Sequence, residues 1–224
     1  MNEALAGAKI LPLLIRLTIP ATAAQLVNAL YSIVDRMYIG HMPGDGTLAL
    51  SAIGLTYPIT MLVAALSCLP GMGGAPLASI ALGKGEVGRA QKYLCNALTM
   101  LLAISVIMTA GCLIFLKPLL ILFGADHSTL PYASQYLTIY LLGTVFVELS
   151  LGLNPFINTQ GYTFIGTMSV VIGAVINIVL DPILIYVLHM GVRGAAIATV
   201  TAQFVSCVWI LHFLSSPRSS IRLC

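Results

Sequence analysis

The sequence predicts an all-α integral membrane protein built as a bundle of six transmembrane helices, and three observations carry that expectation. Hydrophobic residues make up 59% of the 224 positions. Charged residues make up only 8%, where a soluble domain carries about a quarter. The apolar residues are gathered into six stretches of roughly spanning length, about 20 residues each. Mean hydropathy is correspondingly high, at +1.01.

The stretches run near 11–40, 50–81, 92–116, 132–156, 164–188 and 192–214. The first two exceed the minimum for crossing a bilayer, which predicts tilt, a kink or extension beyond it. Between them lie the breakers HMPGDGT, GKGEVGRAQK, FGADHSTLP, NTQGYT and HMGVRG, too short to hold a soluble domain. Residues 1–10 read as a cytoplasmic lead, 11–214 as the six-helix lobe, and 215–224 as a cytoplasmic tail or the start of a linker.

Lysine and arginine placement predicts orientation. With the N-terminus inside, Lys9, Arg16, Lys84, Arg89, Lys92, Arg218 and Arg222 are cytoplasmic, leaving Arg36, Lys117 and Arg193 outside. Both termini are therefore expected in the cytoplasm of a multi-pass cell-membrane protein. Lys9 and Arg16 interrupt the approach to the first apolar run and no small-residue cleavage site follows, so a retained helix is expected rather than a signal peptide. The net charge of +3 is thereby accounted for by membrane orientation, not nucleic-acid contact. The five cysteines lack any metal-binding spacing and read as packing residues.

Against this apolar background three acids stand at membrane depth: Asp35, Asp181 and Glu148. A bare carboxylate there costs several kcal/mol, so it persists where it binds a cation or a proton. That points to cation-coupled transport. Asn177 and Asp181 are four residues apart, on one helix face, and offer an amide oxygen and a carboxylate to one point; Ala195 and Thr199 repeat the spacing on the last span. Hard cations such as sodium want an all-oxygen shell of that kind. The competing reading of Asn177 and Thr199 is polar glue between helices. Glu148 reads equally as a proton relay, a substrate contact or an isolated protonated side chain. Pro20 removes a backbone donor fifteen residues before Asp35 and is either a hinge or a static kink. Tyr31, Tyr38, Tyr57, Tyr140, Tyr186 and Trp209 read first as interface anchors and otherwise, on an inward face, as contacts for aromatic or cationic substrates.

Enzyme chemistry finds no footing. The signatures of an intramembrane aspartyl protease are missing, the Gly44-Asp45-Gly46 run lies in a loop, and neither a membrane serine protease pattern nor HExxH occurs.

Taken with the runs NALYSIVDRMYIGH, LALSAIGLTYPI, PLASIALGKGE, LNPFINTQG and NIVLDPILIYVLHMGVRGAAIATVTAQ, the chain from about residue 9 to 214 resembles the N-terminal half of a MATE (multidrug and toxic compound extrusion) transporter. The resemblance implies one six-helix lobe of a twelve-helix protein, with Asp35, Asn177, Asp181, Ala195 and Thr199 as its cation-binding set and Pro20 as its bending proline. It implies sodium- or proton-coupled antiport of organic, often cationic or amphipathic drugs, in a lipid bilayer, with no cofactor, no metal beyond a sodium site and no nucleic acid. The missing wall would come from a second lobe or from a homodimer partner. Glu148 has no place in the family pattern. The alternatives are a lipid-linked glycan flippase of the same superfamily, whose cavity should be strongly cationic, or an inactive or regulatory half-lobe fragment.

Overall fold

The computed structural model describes residues 10–223, with side chains described from residue 18 onward except at positions 20 and 21. The proposed lead, the side chain of Arg16 and that of Pro20 therefore lie outside the described residues. Eight α-helices account for the described chain: α1 Ile10–Gly40, α2 Gly46–Gly83, α3 Val87–Ile114, α4 Leu116–Leu122, α5 Leu130–Leu142, α6 Thr144–Thr159, α7 Thr163–Pro182 and α8 Val192–Ser215. A five-residue π-helical segment, Ile183–Val187, extends α7.

Four of these, α2, α3, α7 with its π extension, and α8, are long and apolar enough to cross a membrane, and α5 with α6 forms a fifth, broken span. The 31-residue α1 has the length for a sixth, its composition diluted by Gln25, Asn28, Asp35 and Arg36. α2 holds 38 residues and three internal prolines, Pro58, Pro70 and Pro76. A straight rod of that length would extend about 57 Å, well beyond an apolar core of about 30 Å.

Two features depart from the sequence reading. The third run does not continue to residue 116; it stops at Ile114, and Leu116–Leu122 forms a separate short helix anchored by the fully buried Leu120. The fourth run is broken at Gly143, where α5 and α6 meet at 56°. Apolarity alone cannot register such a break. Gly143 fits because a Cβ there would lie 2.5 Å from a methyl of Val200, so α8 approaches too closely for any side chain.

α2, α3 and α6 pack together, α6 also lies on α8, α5 bridges α2 and α8, and α1 packs chiefly against α7. The outer face of α1 exposes Ile19, Leu26, Leu30, Ile33 and Met37, as expected for a surface that meets lipid or another apolar partner. Two core clusters divide the bundle along its length. One gathers Ile39, Leu120 and Val192 near Arg36, Lys117 and Arg193; the other gathers Ala81, Ala90, Leu94 and Ile221 near Lys84, Arg89, Lys92 and Arg218. The described cations thus separate to the two ends as the sequence predicts.

The end segments are fastened by specific polar contacts. Asp126 accepts from the Thr129 N–H at 2.8 Å, the Ser128 hydroxyl at 2.7 Å and the Thr129 hydroxyl at 2.8 Å, organising the turn into α5. These donors, the Thr129 N–H first, hold its carboxyl well below the usual carboxylate range. Tyr132 donates to Asp45 across the same end. At the opposite end Gln160 Oε1 accepts from the Ser219 hydroxyl at 3.0 Å, the Ser220 N–H at 2.7 Å and the Ile221 N–H at 3.3 Å. The tail after α8 is therefore folded back onto the α6–α7 connection, with Ile221 fully buried.

One close helix contact, between α2 and α6, is backbone to backbone. A Cβ on Gly71 of α2 would stand 2.7 Å from the Gly152 carbonyl of α6, so only glycine permits the approach. Gly71→Ala is expected to destabilise the bundle by about 1–3 kcal/mol, through overpacking that rigid backbone cannot relieve. Gly54→Ala, in the same helix but with nothing within 4 Å of the new methyl, is the matched control and should lose no stability. Thermal unfolding of both variants in detergent reads the difference.

Candidate functional site

α1 and α7 lie side by side, and near the same end of each stands an acid. Asp35 is half-buried and Asp181 fully buried, and each acid is an electrostatic neighbour of the other across the α1–α7 packing. Asn177, one turn before Asp181, is also buried. Its Nδ2 donates to Asp181 Oδ1 at 3.4 Å and to Thr199 Oγ1, on α8, at 3.4 Å. Both bonds are at the long limit, which marks a loosely held amide rather than tight structural glue. Pro182 follows Asp181 and has no N–H to donate, and the chain continues in π-helical register, with the Leu188 N–H bonded to the Ile183 carbonyl at 2.9 Å.

Three side-chain oxygens in this cluster, Asp35 Oδ1, Asn177 Oδ1 and Asp181 Oδ2, are buried without a hydrogen-bond partner among the described residues. Buried polar atoms are ordinarily satisfied, so unpartnered oxygens on two neighbouring helices make this cluster the candidate functional site. Two carboxylates in contact repel if both are bare and ionised; sharing a cation or a proton removes the repulsion. No group of three or more His, Cys, Asp and Glu side chains with metal-ligand geometry occurs among the described residues.

Of the residues singled out from sequence, the structure thus brings together Asp35, Asn177, Asp181 and Thr199. Ala195 is fully buried one turn before Thr199 on α8. Glu148 stands apart, in the interior of the α2–α3–α6 packing. α1 runs helically through position 20, with the side chain of Pro20 outside the described residues.

The tyrosines need correction. Tyr140 is buried and stacks on Tyr136 of the same helix at 6.2 Å, so it is no interface anchor. Tyr31 faces Asp35 and Asp181, and the Tyr136 hydroxyl lies beside Thr199. Tyr136 escaped the sequence reading, although its i, i+4 relation to Tyr140 on an apolar helix was a usable sign of a shared inward face. Tyr57 and Trp209 remain partly exposed, Tyr57 beneath the Arg36 guanidinium at 5.5 Å.

A cavity of about 480 Å³ opens between α1, α2, α6, α7 and α8. Its polar lining is neutral: amides from Gln25, Asn28, Asn154, Asn158, Asn177 and Gln203, with no charged side chain. Asn154 is held in place by its Nδ2, which donates to the Gly166 carbonyl at 2.9 Å and to the Ser169 hydroxyl at 2.8 Å. Asn177 and Thr199 line this cavity as well as contacting each other beside Asp181. Asn177 and Thr199 are thus common to the cavity and the acid cluster, and Tyr31, which faces the two acids, lines the cavity too.

Known proteins resemble this chain over most of its length. The MatE family model matches residues 20–183. The multidrug export protein MepA of Staphylococcus haemolyticus is 29% identical over 204 residues, covering 91% of this chain and 45% of that protein. An FAD transporter of Shewanella oneidensis is 28% identical over 209 residues, covering 92% of this chain and 46% of the relative. The crystal structure of a MATE in complex with MaD3S superposes with a TM-score of 0.88 at 27% identity, covering 95% of this chain and 47% of that one. The chain spans about half the length of the curated relatives it matches. A match over most of the chain, at the level of both sequence and fold, shows that it belongs to the MatE family and corresponds to the N-terminal half of a MATE transporter.

Proposed function

We propose that this chain forms the N-terminal lobe of a cation-coupled efflux transporter, in which a sodium ion or a proton at Asp35 and Asp181 is exchanged for an organic substrate in the neighbouring cavity. The observation that carries the reading is the sharing of Asn177 and Thr199 between cavity and acid cluster. A cation drawing the unpartnered Asn177 oxygen toward Asp181 would turn an amide that also lines the substrate space. Binding at one place then alters the other, which is the requirement for coupling. Relatives named as a multidrug export protein and an FAD transporter agree with organic cargo. The neutral amide lining weighs against a glycan flippase, whose anionic lipid-linked cargo would call for lysine or arginine.

In this reading residues 11–214 make one six-helix lobe in the cell membrane, with both termini cytoplasmic. The lobe supplies one wall of the transport path. A second lobe or a second copy supplies the other, since alternating access in such folds is the rocking of one repeat against another. Pro20 serves as the hinge of α1 that changes the exposure of Asp35, and Ala195 gives Thr199 room to approach it.

In a complete two-lobe context, Asp35→Asn or Asp181→Asn is expected to lower efflux at least about tenfold, the value of one charge-assisted ligand, with membrane levels unchanged. Driving the same vesicles with a sodium gradient alone and a proton gradient alone identifies the coupling ion. Unaltered efflux in either variant removes that acid from the mechanism. Pro20→Ala should reduce transport while leaving expression near that of the parent chain. If it instead changes thermal stability and leaves transport intact, the proline is a static kink.

A further inference from the structure

Glu148 is the most deeply buried acid that the cation cluster does not use. Its relative exposure is 0%, and both of its carboxyl oxygens are buried without a hydrogen-bond partner among the described residues. It does not line the cavity. It lies one turn before Gly152 on α6, and Gly152 meets Gly71 of α2 and Leu101 of α3. The parallel register of α2 and α6 brings Ser67 to the level of Glu148, and the antiparallel α3 brings Ser105 there.

Neither hydroxyl is directed to the acid. The Ser67 hydroxyl donates to the Ala64 carbonyl at 2.7 Å and that of Ser105 to the Leu102 carbonyl at 2.9 Å, each within its own helix. The Ser150 hydroxyl, two residues on, is engaged with Gln203 at 2.7 Å. Among the described residues no charged side chain acts on Glu148 from a helix packed against α6. The titratable group facing it is the Tyr140 hydroxyl from α5; Cys68 of α2 faces the cavity, and Cys112 of α3 and Cys207 of α8 belong to the cores at the two ends. Packing along α6 is close on both sides. A methyl on Gly152 would stand 2.5 Å from Leu101, and one on Gly143 2.5 Å from Val200.

An ionised carboxylate in such a place has neither counter-charge nor hydrogen-bond donor among the described residues. A metal cation would need several converging oxygens, and Glu148 brings one carboxyl with no amide or second acid at its level. A proton needs a single oxygen. We propose that Glu148 is a proton-binding site distinct from the Asp35–Asp181 cluster, which keeps its proton while α2, α3 and α6 are packed as described and releases it only when that packing opens. On release the O–H bond breaks, its electron pair stays on the carboxylate oxygen, and the proton passes to water admitted by the opening. The break at Gly143, five residues before Glu148, is where α6 changes direction from α5. The inference stands on burial and packing around α6 and does not depend on the role of Asp35 or Asp181.

The test is an infrared difference spectrum of the purified chain against Glu148→Gln near neutral pH. The expected result is a carbonyl stretch of a protonated carboxyl in the parent chain, shifted in heavy water, missing from the variant and unaffected by sodium chloride. Carboxylate stretches in its place, or loss of the band on adding sodium, would overturn the proposal. Thermal unfolding from about pH 5 to about pH 9 gives a second measurement. The folded parent holds a proton that the unfolded chain surrenders as pH rises, so the parent loses stability with rising pH. Glu148→Gln and Glu148→Met should match it near pH 5 and exceed it by about 2–4 °C at the alkaline end. Both variants unfolding before the parent at every pH, or neither yielding folded protein, would instead mark an ionised and paired Glu148.

Discussion

The molecule is organised around the cost of bringing two carboxyl groups together inside an apolar bundle. Asp181 is fully buried, Asp35 meets it from another helix, and an oxygen of each, with one of Asn177, is left without a partner among the described residues. Each such atom costs on the order of 1–3 kcal/mol if nothing binds it. In the proposed reading a bound positive charge offsets that cost. The architecture suits that proposal: α1 lies on α7, α8 brings Thr199 beside Asn177, and both of those residues also line the neighbouring cavity.

The packing that positions these groups relies on closeness rather than on polar bonds. Where α2 meets α6 the backbones of Gly71 and Gly152 touch, and where α8 crosses the break Gly143 yields to Val200. Such contacts compensate for the weak hydrophobic drive between helices in lipid. They also leave no slack around Glu148. By contrast, the cluster around Asp35 is loosely held, with 3.4 Å bonds from Asn177 and a cavity at its side. One acid is enclosed by rigid packing and the other two adjoin adaptable space, which suits a site that loads and unloads.

Much of this was legible in the sequence, for identifiable reasons. Apolar runs of spanning length report helices because lipid forces backbone bonds to close within each segment. The i, i+4 spacing of Asn177 and Asp181 was sufficient to place both on one face, and the described lysines and arginines gather at the two ends of the bundle. Other features depend on contacts between distant positions. Periodicity is blind to the break at Gly143, since the methyls of Val200 that require it come from another helix. The short helix Leu116–Leu122 is as apolar as the span before it. Tyr31 and Tyr140 read as anchors because a tyrosine facing a polar cluster and one facing a headgroup look alike in one dimension. That Glu148 is sealed off from the cavity follows from glycines and serines on three helices.

The central claim is that Asp35 and Asp181 act as one cation site, and the most direct measurement is a double-mutant cycle on cation affinity. Sodium and proton binding to the parent chain, Asp35→Asn, Asp181→Asn and the double variant would be measured in the same membrane mimetic. If the two acids hold one ion, each single substitution removes nearly all of the affinity and the double removes little more, leaving a large interaction energy. Losses that add independently would place the acids in separate sites and contradict the account.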